Sequence, residues 1–250
     1  EPTALVFVFH GWGGQGSWYH NWGFGALAES KGFIAVYPQG MADCQQGADC
    51  AGFSSWNAVG SSESTDSKMA CSLEDQRGNN CYESCRIRKG RCHQCDWTTC
   101  YDDVGWIVKL LDALESRFCV DKRRLFAYGC SNGGLFVHEL AQSLPERFAA
   151  IAATCGGKPH RGWEQDFRKQ GPQVSMLLIT GRTDHTIPSY TPPKGTSWWD
   201  GYRYANESAV VAAYKSYNSC KNSAARTYVT PFTARRMSCM EEGYDCLGGA

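Results

Sequence analysis

The sequence predicts an α/β protein, a mostly parallel sheet with helices on both faces and a cysteine-rich insertion. Short runs of apolar residues alternate along the chain with stretches of helical periodicity. The runs are β-branched or aromatic and bounded by Gly, His or polar residues, as buried strands are. The chain has 250 residues, enough for one such domain with a sizeable core.

The elements follow in order. "ALVFVF" (4–9), "FIAVYP" (33–38), "RLFAYG" (124–129), "FAAIAAT" (148–154) and "SMLLIT" (175–180) read as strands. "DDVGWIVKLLDALESRF" (102–118) places Val104, Ile107, Leu110, Leu111 and Leu114 on one helical face. "SNGGLFVHELAQSL" (131–144) is a second helix, stopped by Pro145, and "NESAVVAAYKSYNS" (206–219) a third. Residues 60–101 break the alternation. They are poor in apolar residues and hold cysteines at 71, 81, 85, 92, 95 and 100. The organisation expected is one domain over 1–250 with a disulfide-stapled insertion at about 60–101.

Composition narrows the function classes. Basic and acidic residues balance at 25 each with no block of like charge, which offers no footing for nucleic acid or an anionic membrane. No apolar run approaches the ~20 residues of a membrane helix. Fourteen cysteines point to an oxidising, secretory compartment, and the sequon Asn206-Glu207-Ser208 fits it. Within "CHQCDWTTC" (92–100) a single C-x-x-C and a histidine raise the question of zinc. Structural zinc sites pair two such knuckles, so disulfides and no metal are expected, with connectivity open among about fifteen pairings.

Three short motifs carry chemistry. "YGCSNGG" (128–134) sets Ser131 between Gly129 and Gly133, with a strand run before it and a helix after it. That order is the nucleophile elbow, a sharp turn that lifts a serine hydroxyl above the sheet. "FHGWGG" (9–14) follows the first strand, where a His-Gly loop supplies one oxyanion-hole amide and the residue after the nucleophile supplies the other. These donors are assigned to the backbone of Trp12 and Asn132, and His10 to a structural role in the loop. "LLITGRTDHTIPSY" (177–190) puts Asp184 just past a late strand, in the chain order expected of a triad acid. Cys130, next to the serine, is read as a buried thiol or half of a disulfide. Trp106 is assigned to core and cap packing. Trp198 and Trp199 either line a substrate pocket or pack the structure.

The string "YDDVGWIVKLLDALESRFCVDKRRLFAYGCSNGGLF" (101–136), with "FHGWGG", "SSWNA" (54–58) and "GRTDHTIPSY", resembles secreted poly(3-hydroxybutyrate) depolymerases and feruloyl esterases of carbohydrate esterase family one. The resemblance implies an α/β-hydrolase fold and a cofactor-free serine esterase acting through an acyl-enzyme; a monomer is expected. Its substrates would be feruloyl or acetyl esters of plant polysaccharide, or polyesters. It carries over Ser131 as nucleophile, Asp184 as acid, Trp12 and Asn132 as oxyanion donors, and a Cys220–Cys246 disulfide. Two departures stand out. Only Glu1-Pro2-Thr3 precede the His-Gly strand, and the histidines at 10, 20, 93, 138, 160 and 185 include none past Asp184 except its neighbour. The expectation is a fragment trimmed at both ends and lacking the catalytic histidine. Two rival classes remain: another hydrolase of this fold, peptidase or lipase, and a non-catalytic carbohydrate-binding relic.

Overall fold

The computed structural model describes residues 1–42, 54–58, 99, 101–157, 171–181, 183–187, 204–229 and 239–246. Its central sheet joins β1 (Thr3–Phe9), β2 (Phe33–Val36), β5 (Val120–Cys130), β6 (Ala150–Thr154) and β7 (Ser175–Leu178). The strand order is β2-β1-β5-β6-β7, and each neighbouring pair is parallel. These are the five runs read from the sequence. In β1, Leu5, Phe7, Val8 and Phe9 are all fully buried, so both faces of the strand are covered. That is why it reads as a continuous apolar run and not as an alternation.

Chain order reverses at the middle of this sheet. From β1 the chain goes outward to β2, and later resumes on the opposite flank as β5, β6 and β7. The carboxyl ends of β1 and β5 therefore flank a topological switch point, where the connecting loops part and leave a crevice.

The helices follow the apolar stripes. In α3 (Asp103–Arg117) Ile107 and Leu111 are buried, with Val104, Leu110 and Leu114 packed beside them. Asp102 caps it, its Oδ1 accepting the Gly105 amide at 2.9 Å. Trp106 packs as a cap and not inside the core. It is 41% exposed, stacked over the buried Trp56 with ring centroids 6.4 Å apart. It lies one residue, and so about 100° around the helix, from the Ile107 stripe. Helix α4 (Asn132–Ser143) is buried along most of its length, and α5 (Glu207–Tyr217) seats Val210 and Tyr214. Asn206 of the sequon caps α5, accepting the Ser208 amide at 3.2 Å.

Three features were not read from the sequence. The helical run α1 (Gly16–Tyr19), a π-helical segment (His20–Phe24) and α2 (Gly25–Lys31) follows β1. A short antiparallel pair joins β3 (Met41–Ala42) to β4 (Ser54–Ser55). A separate antiparallel pair joins β8 (Cys220–Val229) to β9 (Cys239–Cys246), where a last strand had been expected only from Asp245 onward. Cys220 and Cys246, opposite one another in that pair, form a disulfide, the pairing the family resemblance implied. The insertion, apart from Thr99 and Tyr101, and the tryptophans 198 and 199 lie outside the described residues. Among the described residues no helix is long and apolar enough to cross a membrane.

One buried carboxyl links the 54–58 segment to α3. Asp103 Oδ2 accepts the Asn57 amide at 2.7 Å. Burial, with the neighbouring Asp102 charge adding to it, pushes the Asp103 carboxyl from 3.8 up to about 6. Folding thus favours the protonated form. This stability is fully present below about pH 4 and is lost as pH rises through about 6, by roughly 3 kcal/mol at most. Asp103→Asn keeps an oxygen for the Asn57 amide and cannot ionise. Its melting temperature should match the parent's near pH 4, rise above it progressively to pH 6, and hold that margin at higher pH. Parallel curves for the two proteins would contradict the account.

Candidate active site

The site is built at the switch point. β5 ends at Cys130 and α4 begins at Asn132, so Ser131 alone makes the turn between them. Its backbone takes φ 55° and ψ −120°, a region that residues with a side chain rarely adopt. The corner is held on both sides. The Ser131 amide donates to the Thr154 carbonyl on β6 at 3.0 Å, and the Ser131 carbonyl accepts the Leu135 amide at 2.9 Å, starting α4.

The loop after β1 lies against this corner. A Cβ added at Gly11 would stand 3.3 Å from Ser131 Cβ and 3.9 Å from its Oγ. Glycine is what lets the backbone before Trp12 approach the serine so closely. His10 holds the loop and is fully buried. Its Nε2 accepts the Gly40 amide at 2.9 Å and faces the Gln39 side chain at 3.2 Å. Nδ1 therefore carries the proton and donates to the Gly11 carbonyl at 2.7 Å. Burial lowers the His10 pKa, keeping the ring neutral. Gln39 also donates to the Gly14 carbonyl and accepts the Gly16 amide. This clamp depends on a residue 29 positions from His10, a relation no local motif announces.

Asn132, the residue after the serine, is held by its side chain. Its Oδ1 accepts the Trp56 amide at 2.8 Å and the Ser55 hydroxyl at 3.3 Å, and its Nδ2 donates to the Trp56 carbonyl. Trp56 then donates its indole N–H to the His10 carbonyl at 2.9 Å. "SSWNA" is thus the strap that joins the serine corner to the β1 loop. Trp56 itself is fully buried among Phe9, Phe136 and His10.

Asp184 arrives from the other side. Its Oδ1 accepts the amides of Thr186 and Ile187 at 2.8 and 2.9 Å. Its Oδ2 would stand 2.9 Å from a Cβ at Gly156, so the carboxylate packs against the turn just after β6. That turn begins at Cys155, a non-glycine residue at φ 54°, and Cys155 is joined to Cys130 by a disulfide. The structure therefore gathers the Ser131 corner, the Gly11–Trp12 loop and the Asp184 turn at the carboxyl ends of adjacent strands. Cys130 is half of a disulfide and partly exposed, which corrects the alternative of a buried thiol.

Two histidines have both ring nitrogens committed. His10 is described above. His138, fully buried, faces the Tyr214 hydroxyl through Nδ1 at 3.0 Å and the Gly157 carbonyl through Nε2 at 3.2 Å. Burial lowers its pKa to about 4. Among the described residues no group of three His, Cys, Asp or Glu side chains converges as a metal site would require.

Strand order, parallel pairing and the serine corner define the α/β-hydrolase fold. Residues 97–219, just under half of the chain, match the profile of the prolyl oligopeptidase family. No curated protein matches the chain. Among solved structures it is similar to the acetyl xylan esterase from Aspergillus awamori, at 15% identity and a TM-score of 0.45, over 75% of this chain and 68% of that one.

Proposed function

We propose that this protein is a serine hydrolase of carboxylic esters, with Ser131 as nucleophile, Asp184 as the acid of its triad, and the backbone amides of Trp12 and Asn132 as oxyanion donors. The observation that carries the reading is the Ser131 corner, a serine held at positive φ between a parallel strand and a buried helix, at the switch point of the sheet. A strained non-glycine residue is kept where its surroundings determine it, and such positions gather at functional sites.

The chemistry follows from that placement. Ser131 Oγ forms a bond to the ester carbonyl carbon as its proton passes to a base. The carbonyl oxygen takes the negative charge and is met by the two amides. Collapse expels the alcohol, which takes a proton, and water then frees the acid from the acyl-enzyme by the same route. His10 and His138 are excluded as that base because both nitrogens of each ring are engaged elsewhere. The sequence resemblance supports feruloyl, acetyl or polyester substrates. The disulfides support an oxidising, extracellular compartment. A peptidase is the second reading, favoured by the match of residues 97–219 to the prolyl oligopeptidase family.

An alkyl fluorophosphonate followed by peptide mapping tests the nucleophile, and paired substrates test the class. One adduct, on Ser131, is expected, and, where a histidine is paired with Asp184 as base, turnover of p-nitrophenyl acetate and a feruloyl ester but not of a prolyl p-nitroanilide peptide. An adduct on another serine would refute the site. Preferential cleavage of the prolyl peptide would transfer the protein to the second reading.

A further inference from the structure

The Cys130–Cys155 disulfide lies between two parts of the proposed site, the Ser131 corner and the turn against which Asp184 packs, without being one of its reacting groups. Cys130 is covalently next to Ser131. Cys155 follows Thr154, whose carbonyl accepts the Ser131 amide at 3.0 Å and the Gly157 amide at 2.9 Å. Thr154 Oγ1 donates to the Gly129 carbonyl at 3.1 Å, on the strand that leads to the serine. Gly156, next along, is the surface against which Asp184 packs. Ser131 and Cys155 both have positive φ, at 55° and 54°, so the bridge ties two strained corners to each other. Strained backbone persists only where its surroundings over-determine it. β5 and β6 already pair through their length, from Phe126–Ala150 to Cys130–Thr154. The bridge adds its constraint just beyond that ladder.

We propose that Cys130–Cys155 is a positioning disulfide, which holds the Ser131 corner in register with the turn that seats Asp184, and that opening it lowers turnover while leaving the fold in place. The inference rests on the reading of Ser131 as nucleophile. Cys155 is exposed, so a soluble dithiol reaches the bridge. Its thiolate attacks one sulfur, expelling the other cysteine as thiolate and forming a mixed disulfide, and its second thiol then attacks that disulfide, expelling the remaining cysteine as the dithiol closes to a cyclic disulfide. Cys130 and Cys155 each gain a proton, and the dithiol is oxidised by two electrons.

The test compares Cys130→Ala/Cys155→Ala with Cys220→Ala/Cys246→Ala, which removes the disulfide of the β8–β9 pair. The first variant should lose about 10-fold or more in kcat on p-nitrophenyl acetate with KM nearly unchanged, as misplaced reacting groups produce. Its far-ultraviolet circular dichroism should stay that of the parent. The second variant should keep the parent kcat. An unchanged kcat in the first variant, or an equal loss in both, would overturn the proposal. If the first variant does not accumulate folded, the parent is treated with graded dithiothreitol and alkylated. Activity should then fall in proportion to the alkylated fraction of Cys155, and activity independent of that fraction would overturn the proposal. If the parent shows no Ser131-dependent reaction, the reading of the site fails by itself. Exchange of the Ser131 amide, measured by nuclear magnetic resonance, then decides the positioning role. It should quicken about 10-fold or more once the bridge is opened, and an unchanged rate would overturn it.

Discussion

In protein whose Asp184 is paired with a histidine base, Ser131→Ala is expected to lower kcat/KM on an activated aryl ester by about 10³-fold or more, the scale of losing a triad member. The loss should be chemical and not structural. Alanine fills the same space as serine apart from the hydroxyl, and the corner is held through backbone, by the Ser131 amide to Thr154 and the Ser131 carbonyl to Leu135. Denaturant midpoints of parent and variant should therefore agree closely. Ser131→Gly sharpens the comparison, because glycine occupies φ 55° without the strain of a Cβ. That variant should be equally inactive yet more stable, by roughly 1–2 kcal/mol. Such a pair, dead in both and stabilised in one, would mark Ser131 as a residue that the fold keeps under strain for its hydroxyl. A Ser131→Ala protein that hydrolyses esters at the parent rate would place the chemistry elsewhere.

The central sheet was legible because burial on both faces leaves an unmistakable mark, a run such as "ALVFVF" with no polar position. The serine corner was legible because a sharp strand-to-helix turn requires small residues at fixed spacing, and Gly129, Gly133 and Gly134 supply them. The helical run after β1 was hidden for the opposite reason. Gly16, Gly23 and Gly25 interrupt any apolar period, and Gly23 takes φ 114° inside the π-helical segment. β8 reads "CKNSAARTYV", too polar and too rich in alanine to announce a strand, and its partner β9 is no clearer.

The site was legible only where it is local. Asn132 was identified by its position after the serine, which concerns its backbone amide. That its side chain also grips Trp56 depends on two segments 76 residues apart meeting. The same holds for the Gln39 clamp on His10 and for the Cys130–Cys155 bridge, since spacing alone does not choose among cysteine pairings. Trp106 is a different case. A helical wheel already puts it beside and not on the Ile107–Leu111 stripe, so the sequence carried the information that it would lie half-exposed.

Gly129→Ala should be among the most damaging single substitutions in this chain. A Cβ there would overlap the Gly133 carbonyl group and stand 2.7 Å from the Gly134 nitrogen, all of it backbone in the first turn of α4. That turn cannot readily step aside. A Cβ placed at Gly133 would already stand 2.5 and 2.6 Å from the carbonyl oxygens of Phe9 and His10. One at Gly134 would stand 2.8 Å from Gly157 Cα. The start of α4 is therefore wedged among the ends of β1, β5 and the turn after β6 at glycine-only distances. Relief requires moving a buried helix with Phe136 and Leu140 in the core, a larger disturbance than the 1–3 kcal/mol typical of overpacking. The expected loss is about 4 kcal/mol or more, which for a domain of this size lowers the melting temperature by roughly 10 °C or prevents accumulation. Gly32→Ala is the control. Nothing lies within 4 Å of its Cβ position, but its φ of 70° is left-handed, so only backbone strain of about 1 kcal/mol is expected. Thermal unfolding of the two purified variants checks the order, with soluble yield as the measure if Gly129→Ala cannot be purified. Equal stability would mean that α4 has room to retreat from β5, and with that room the tight Ser131 corner would lose its structural support.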